Sequence, residues 1–298
     1  MIVSQTKKIL ILGGSSYAGR HLFARLGPKR AIATYYTTPI ENGIYFDSVS
    51  MNLSELIDQP NLISCAIILL GDTNPESCVL DIKRSNAINI ESIKRIVDYL
   101  KKRQIKPIFI SSEFVFDGKK GNYREEDAVN PILVYGKQKV EIEKYLQDTC
   151  QDYIIIRLAK VFGSEEADKT IFTSWLESIG KVDSIRCAND QIFSPIYIED
   201  VIESIIRLIE NDGNGVFHVS GPKPFVRIEL LQMLLGFVRK YSKLNLKIIP
   251  CSINDFNLKE RRPLNVSMIP DKLVKFTEIK LKDAESVCRG IVKNKFKK

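Results

Sequence analysis

Residues Lys8-Ile9-Leu10-Ile11-Leu12-Gly13-Gly14-Ser15-Ser16-Tyr17-Ala18-Gly19 decide the fold. A short apolar run closed by glycines reads as a buried strand. Tyr17 to Leu26 then reads as a helix. The small residues between them let backbone N–H groups approach a pyrophosphate at the helix N-terminus. The spacing is Gly13-x-x-Ser16-x-x-Gly19, with serine where a middle glycine is usual. Serine costs close approach but adds a hydroxyl donor. Any strand-to-helix junction can use glycine, so the turn alone is a weak signal. Its place in the first strand–turn–helix unit is what points to a dinucleotide.

Working outward, further strands are expected at Ala31 to Tyr36, Ile44 to Phe46, Cys65 to Leu70, Pro107 to Ser112 and Asp152 to Leu158. Helices are expected at Ala87 to Arg103 and Gly136 to Gln147. Strands that alternate with helices and read as continuous apolar runs indicate a parallel sheet covered on both faces. The fold class is therefore α/β, a Rossmann-type doubly wound sheet. After Gly163 the pattern loosens, with helices at Ile198 to Glu210 and Ile228 to Tyr241 and a short strand at Val216 to Val219. The expected division is a nucleotide-binding domain over 1–165 and a smaller substrate lobe over 166–298, with segments near 190–220 returning to the sheet.

Bulk composition narrows the function classes. The chain has 298 residues, 44% of them hydrophobic and 27% charged. No apolar run approaches the roughly 18 residues of a membrane span, and Met1 to Leu10 runs into a strand without a leader's cleavage site. A cytoplasmic protein is expected. The six cysteines form no C-x-x-C pair and there are two histidines, so no metal site or disulfide framework is expected. The net charge of +8 suits an anionic ligand such as a nucleotide. Much of it lies in Lys101-Lys102-Arg103 and Lys293 to Lys298, where solvated helix faces explain it. No basic stripe interleaved with aromatics marks a nucleic-acid surface.

Ser111-Ser112 closes the fifth strand, where ligands of open parallel sheets bind. Tyr135 and Lys139 are four apart on a helix and share a face. An ammonium beside a phenol favours the phenolate. Tyr135 is thus a candidate proton donor for a carbonyl, Lys139 its tuner, and Ser112 a donor to the carbonyl oxygen. Each residue alone is ordinary; the combination carries the reading. An acid at the end of the second strand usually receives the ribose of NAD. Here that end is Tyr35-Tyr36-Thr37-Thr38, which leans the expectation toward NADP, with Lys29 or Arg30 as helpers.

Together these residues resemble the extended short-chain dehydrogenase/reductases, and among them the dTDP-4-dehydrorhamnose reductase family. The likeness runs from Lys8 to about Lys282. Its specific part is Ser111 to Gly118, then Tyr123-Arg124-Glu125-Glu126-Asp127, Asn130-Pro131 and Tyr135-Gly136-Lys137-Gln138-Lys139. The resemblance implies catalytic roles for Ser112, Tyr135 and Lys139, with Lys139 also holding the nicotinamide ribose. It implies cofactor contacts at Gly13, Ser15, Ser16, Tyr17, Gly19, Tyr36, Asp47, Leu70 and Gly71. It implies substrate contacts at Glu113, Val115, Lys160, Gln191 and Arg262, and matches Asn89 to a helix asparagine near the site. Ser16, Glu113 and Lys160 depart from the family pattern; Lys160 stands where the rhamnose enzymes carry tryptophan.

The leading expectation is an NAD(P)H-dependent reductase of a nucleotide-activated 4-keto-6-deoxy sugar. Two alternatives stay open. One is an epimerase or dehydratase on the same scaffold; the other is a non-catalytic, NADP-binding regulatory subunit. A homodimer is one option for its assembly.

Overall fold

A computed structural model describes residues 7–297. The reading of the first residues as leaderless falls on residues 1–6, outside those described. Strands β1 (Lys8–Leu12), β2 (Ala31–Tyr35), β3 (Gly43–Tyr45), β4 (Ile63–Ile68), β5 (Lys106–Ser112) and β6 (Ile154–Leu158) come first. They are followed by β7 (Val161–Phe162), β8 (Ser184–Ala188), β9 (Ile192–Phe193), β10 (Ile196–Tyr197), β11 (Gly215–Val219), β12 (Phe225–Val226) and β13 (Lys247–Cys251). The helices are α1 (Tyr17–Arg30), α2 (Pro75–Leu80), α3 (Ile82–Asn86), α4 (Ser92–Lys102), α5 (Val134–Thr149) and α6 (Ile171–Ser178), then α7 (Ile198–Glu210), α8 (Arg227–Val238), α9 (Asp271–Thr277) and α10 (Ala284–Phe296).

Seven strands form the central sheet in the order β11-β6-β5-β4-β1-β2-β3. Every neighbouring pair in it is parallel. The order reverses between β1 and β4, which makes their carboxyl ends the expected ligand crevice. One apolar core, with Ile9, Ile11, Ile67 and Ile108, lies on one face of the sheet; a second, with Leu10, Leu12, Ile68 and Phe109, lies on the other. That alternation within strands buried on both sides is why they read as continuous apolar runs. A third core joins Phe162, Phe172, Trp175 and Leu230 to α10 residues such as Val292. Around it the strands pair only in twos: β7 with β10, β8 with β13, β9 with β12.

Several expected boundaries move. β2 stops at Tyr35, and Phe46 follows β3 but turns into the core. β4 ends at Ile68, so Leu69, Leu70 and Gly71 form the loop over its end. The helix expected from Ala87 begins as a π turn, Ala87–Glu91, before α4. α1 is helical to Leu26 and breaks at Gly27, whose φ is 70°, just before Pro28. Helices α2, α3, α6, α9 and α10 lie in segments the periodicity did not mark. α2 and α10 carry a local signal: Asn74 before Pro75 and Asp283 before Ala284 each accept an N–H of their helix's first turn. Among the described residues no helix is long and apolar enough to cross a membrane.

Candidate active site

The turn after β1 is built for close approach. Gly13 has φ 90°, and a Cβ there would lie 2.7 Å from Leu70 N. Its N–H donates to Thr34 Oγ1 at 3.0 Å, tying the turn to β2. Ser16 is the N-cap of α1, its hydroxyl accepting the Gly19 N–H at 3.1 Å. A Cβ on Gly19 would stand 2.3 Å from Gly13 O and 2.8 Å from Gly14 Cα. The middle serine thus shapes the turn by capping the helix, and the last glycine lets helix and strand meet. Donors at the start of α1 lack intrahelical acceptors and suit an anion.

This turn opens on a cleft of about 1010 Å³, at the top of the usual range of roughly 300–1,000 Å³ for small-molecule sites. Gly13, Ser15, Ser16, Tyr36, Asp47, Leu70 and Gly71 all line it. Asp47 is bound into its own loop, accepting from Val49 N–H and Ser50 Oγ, and these bonds hold its carboxyl below the usual range. A large part of the wall, Thr73 to Arg84, went unmarked by the sequence pattern; it includes Ser77 and Lys83. The Asn74-Pro75 helix start was the signal that could have drawn attention to it.

Tyr17 is a correction. It does not line the cleft; its hydroxyl sits over Gly163 beside the Asp168 carboxylate, because α1 has already turned that side chain toward β7. Lys29 and Arg30 are a second correction. Neither lines the cleft, and Arg30 pairs with Glu210 on α7.

Ser112, Tyr135 and Lys139 come together where β5 meets α5. The Tyr135 phenol lies beside the Ser112 side chain, close enough for that hydroxyl to favour the phenolate. Ser112 also accepts the Phe114 N–H at 3.2 Å. Lys139 Nζ donates to Ile110 O at 2.9 Å and lies 5.6 Å from the Tyr135 ring centroid. All three side chains are buried. Burial pushes the Tyr135 phenol above its ordinary value and outweighs the Ser112 hydroxyl, which acts the other way. Burial pushes Lys139 down to about 8. The expected acidification of the phenol by the ammonium is therefore not the dominant effect; desolvation is.

These three do not line the cleft, but Asn89 links them to it. Its Oδ1 accepts the Asp72 N–H at 2.8 Å, and its Nδ2 donates to Gln138 Oε1, next to Lys139, at 2.7 Å. The π turn that holds Asn89 is a distortion often found at functional sites.

The residues expected around the substrate separate. Glu113 is buried beside Ser112 and accepts the Lys160 N–H at 3.2 Å; burial pushes its carboxyl up to about 8. Gln191 accepts from Arg227 NH1 at 3.2 Å, bringing in an arginine the sequence reading did not include. Val115 is a correction: it is wholly buried in the sheet core and backs the site without lining it. Arg262 is not free as it stands: its guanidinium is paired with Glu76 of α2.

A parallel sheet with a glycine-built turn after its first strand, and a serine, tyrosine and lysine gathered at β5 and α5, defines an extended short-chain dehydrogenase/reductase. The chain belongs to the RmlD substrate binding domain family, which it matches over residues 7–295. It is 26% identical over 234 residues to a dTDP-4-dehydrorhamnose reductase of Aggregatibacter actinomycetemcomitans, covering 72% of this chain and 73% of that protein. The solved structure of a hypothetical dTDP-4-dehydrorhamnose reductase from Sulfolobus tokodaii superposes with a TM-score of 0.79 at 25% identity, over 90% of this chain and 94% of the other. The fold is shared too with the Bacillus anthracis dTDP-4-dehydrorhamnose reductase in complex with NADP, with a TM-score of 0.78 at 19% identity, over 96% and 98% of the two chains.

Proposed function

We propose that this chain is an NAD(P)H-dependent reductase of a nucleotide-activated 4-keto-6-deoxy sugar. The observation that carries the reading is the gathering of the buried Ser112, Tyr135 and Lys139 side chains on the shoulder of a dinucleotide-sized cleft. A bound nicotinamide supplies the hydride. Ser112 donates to the ketone oxygen, and Tyr135 gives its proton to the forming alkoxide. Two preorganised donors at a developing charge are usually a large catalytic term. Burial keeps the phenol protonated in the resting site, so the proton that the reduction consumes is in place.

Gly13, Ser15 and Ser16 would receive the pyrophosphate, and Tyr36 and Asp47 would flank the adenosine. Lys139 would hold the nicotinamide ribose. Glu113, Lys160 and Gln191 would face the sugar. Residues 1–165 would hold the cofactor and 166–298 chiefly the substrate; the cleft wall, which ends at Ile88, supports that division. NADP is favoured over NAD by the acid-free end of β2, lined by Tyr35 to Thr38. A cytoplasmic location and a homodimer complete the reading, to be checked by fractionation and light scattering.

The test is loss of nicotinamide absorbance when purified protein meets NADPH or NADH and a panel of 4-keto sugar nucleotides. Oxidation that depends on the sugar supports the reading. No oxidation with any of them overturns it, and tight NADP binding alongside that result would favour a regulatory subunit.

A further inference from the structure

Tyr135, Lys139 and Glu143 recur every fourth residue on α5 and form one buried stripe, with exposures of 6%, 5% and 2%. The first two belong to the site already described; Glu143 does not. Its Oε1 accepts the Ser111 hydroxyl at 2.5 Å. Its Oε2 accepts from Arg157 NH2 at 2.8 Å, with Arg157 Nε at 3.2 Å from both oxygens. Ser111 and Arg157 are register partners on β5 and β6. One carboxylate therefore fastens the helix that carries Tyr135 and Lys139 to the strand whose last residue is Ser112. The far side of Arg157 meets the Glu125 carbonyl at 3.2 Å and His218, whose burial pushes it down to about 3 and keeps it neutral.

We propose that Glu143 is a positioning residue for Lys139: its carboxylate fixes the height of α5 along β5 and keeps the buried lysine in its ammonium form. The groups facing this part of the stripe are few. Cys78 approaches Lys139 from α2, its thiol pushed up to about 11 and so neutral. Asp72, after β4, and Glu113, after β5, act on Tyr135. Arg157 faces Glu143 from β6. Glu143 is thus the carboxylate that offsets the burial of Lys139.

The inference rests on the reading of Lys139 as the residue that meets the cofactor ribose, and its test needs no sugar. NADPH affinity is measured by fluorescence titration from mildly acid to alkaline pH. In the native chain affinity should decline as Lys139 loses its proton, near pH 8. In Glu143→Gln the decline should begin about one pH unit lower, with affinity several-fold weaker at neutral pH. Glu143→Gln leaves a buried arginine unpaired and can fail to fold, so Glu143→Met/Arg157→Met is the second variant. Apolar replacement of a buried ion pair is often neutral or stabilising. Its decline should move the same way by less. A folded variant of either kind with the native pH profile overturns the proposal. So does failure of both to fold, which would make the pair purely structural, or absence of NADPH binding by the native chain. Failure to reduce any keto sugar would sink the proposed function and leave this result intact.

Discussion

Arg262, at the end of the loop that follows β13, is ion-paired with Glu76 in the first turn of α2. The guanidinium is largely buried, and Glu76 also accepts the Lys259 N–H at 2.9 Å. Nearby, Glu260 accepts the Val134 N–H at the start of α5. The loop is thereby tied to both helices that border the candidate site. A substrate diphosphate that used Arg262 would first have to displace Glu76.

Glu76→Gln should therefore lower KM for the sugar nucleotide several-fold and leave kcat nearly unchanged. The replacing amide can still accept from the Arg262 guanidinium, so the change in melting temperature should be modest. Steady-state kinetics decide this; an unchanged or raised KM would show that the tether does not compete with substrate.

Tyr135→Phe removes the proton donor and keeps the ring that packs edge-on against Phe114. Turnover should fall by about 10²- to 10⁴-fold, the usual worth of general acid help. NADPH affinity should change little. Turnover near that of the native chain would rule out the assigned role.

Two glycine substitutions should act in opposite ways. Gly19→Val pushes side-chain atoms against Gly13 O and Gly14 Cα, which belong to rigid backbone. Cofactor affinity should fall at least about tenfold, since 1.4 kcal/mol already suffices for that. Gly236→Ala, on α8, meets nothing within 4 Å. It should stabilise by about 0.5–1 kcal/mol through helix propensity and chain entropy. Calorimetry and cofactor titration of both variants check the contrast.

Glu113 supplies a pH dependence. Its folded value of about 8 lies above the ordinary 4.5 because burial disfavours the charge. Between those values the unfolded chain ionises while the folded one stays protonated, so native stability is eroded as pH rises from about 4.5 to about 8. Glu113→Gln removes that erosion. Its melting temperature should match that of the native chain at acid pH and exceed it increasingly toward pH 8, by about 2–4 kcal/mol in stability. A difference that does not vary with pH would refute the cause assigned here.

The parts that were legible in the sequence share one property: neighbouring residues settle them. Lys8 to Gly19 announces strand, turn and helix because apolar run length and glycine placement act locally. Tyr135 and Lys139 fall on one face because a helix turns every 3.6 residues. The cleft wall from Thr73 to Arg84 was not legible, because α2 and α3 are too short for periodicity to register.

What the chain by itself determined is a doubly wound parallel sheet, a dinucleotide-type first turn, and a serine, tyrosine and lysine in matching positions. Only the tertiary structure decided what each group does there. Tyr17 turns away from the cleft, Val115 is sealed in the core, and Arg262 is paired with Glu76. Proton affinities were decided the same way: desolvation of Tyr135 outweighs the Ser112 hydroxyl beside it. Local sequence sets backbone conformation through sterics and hydrogen bonding between near neighbours. Burial, charge pairing and side-chain direction depend on residues that meet only when distant segments pack.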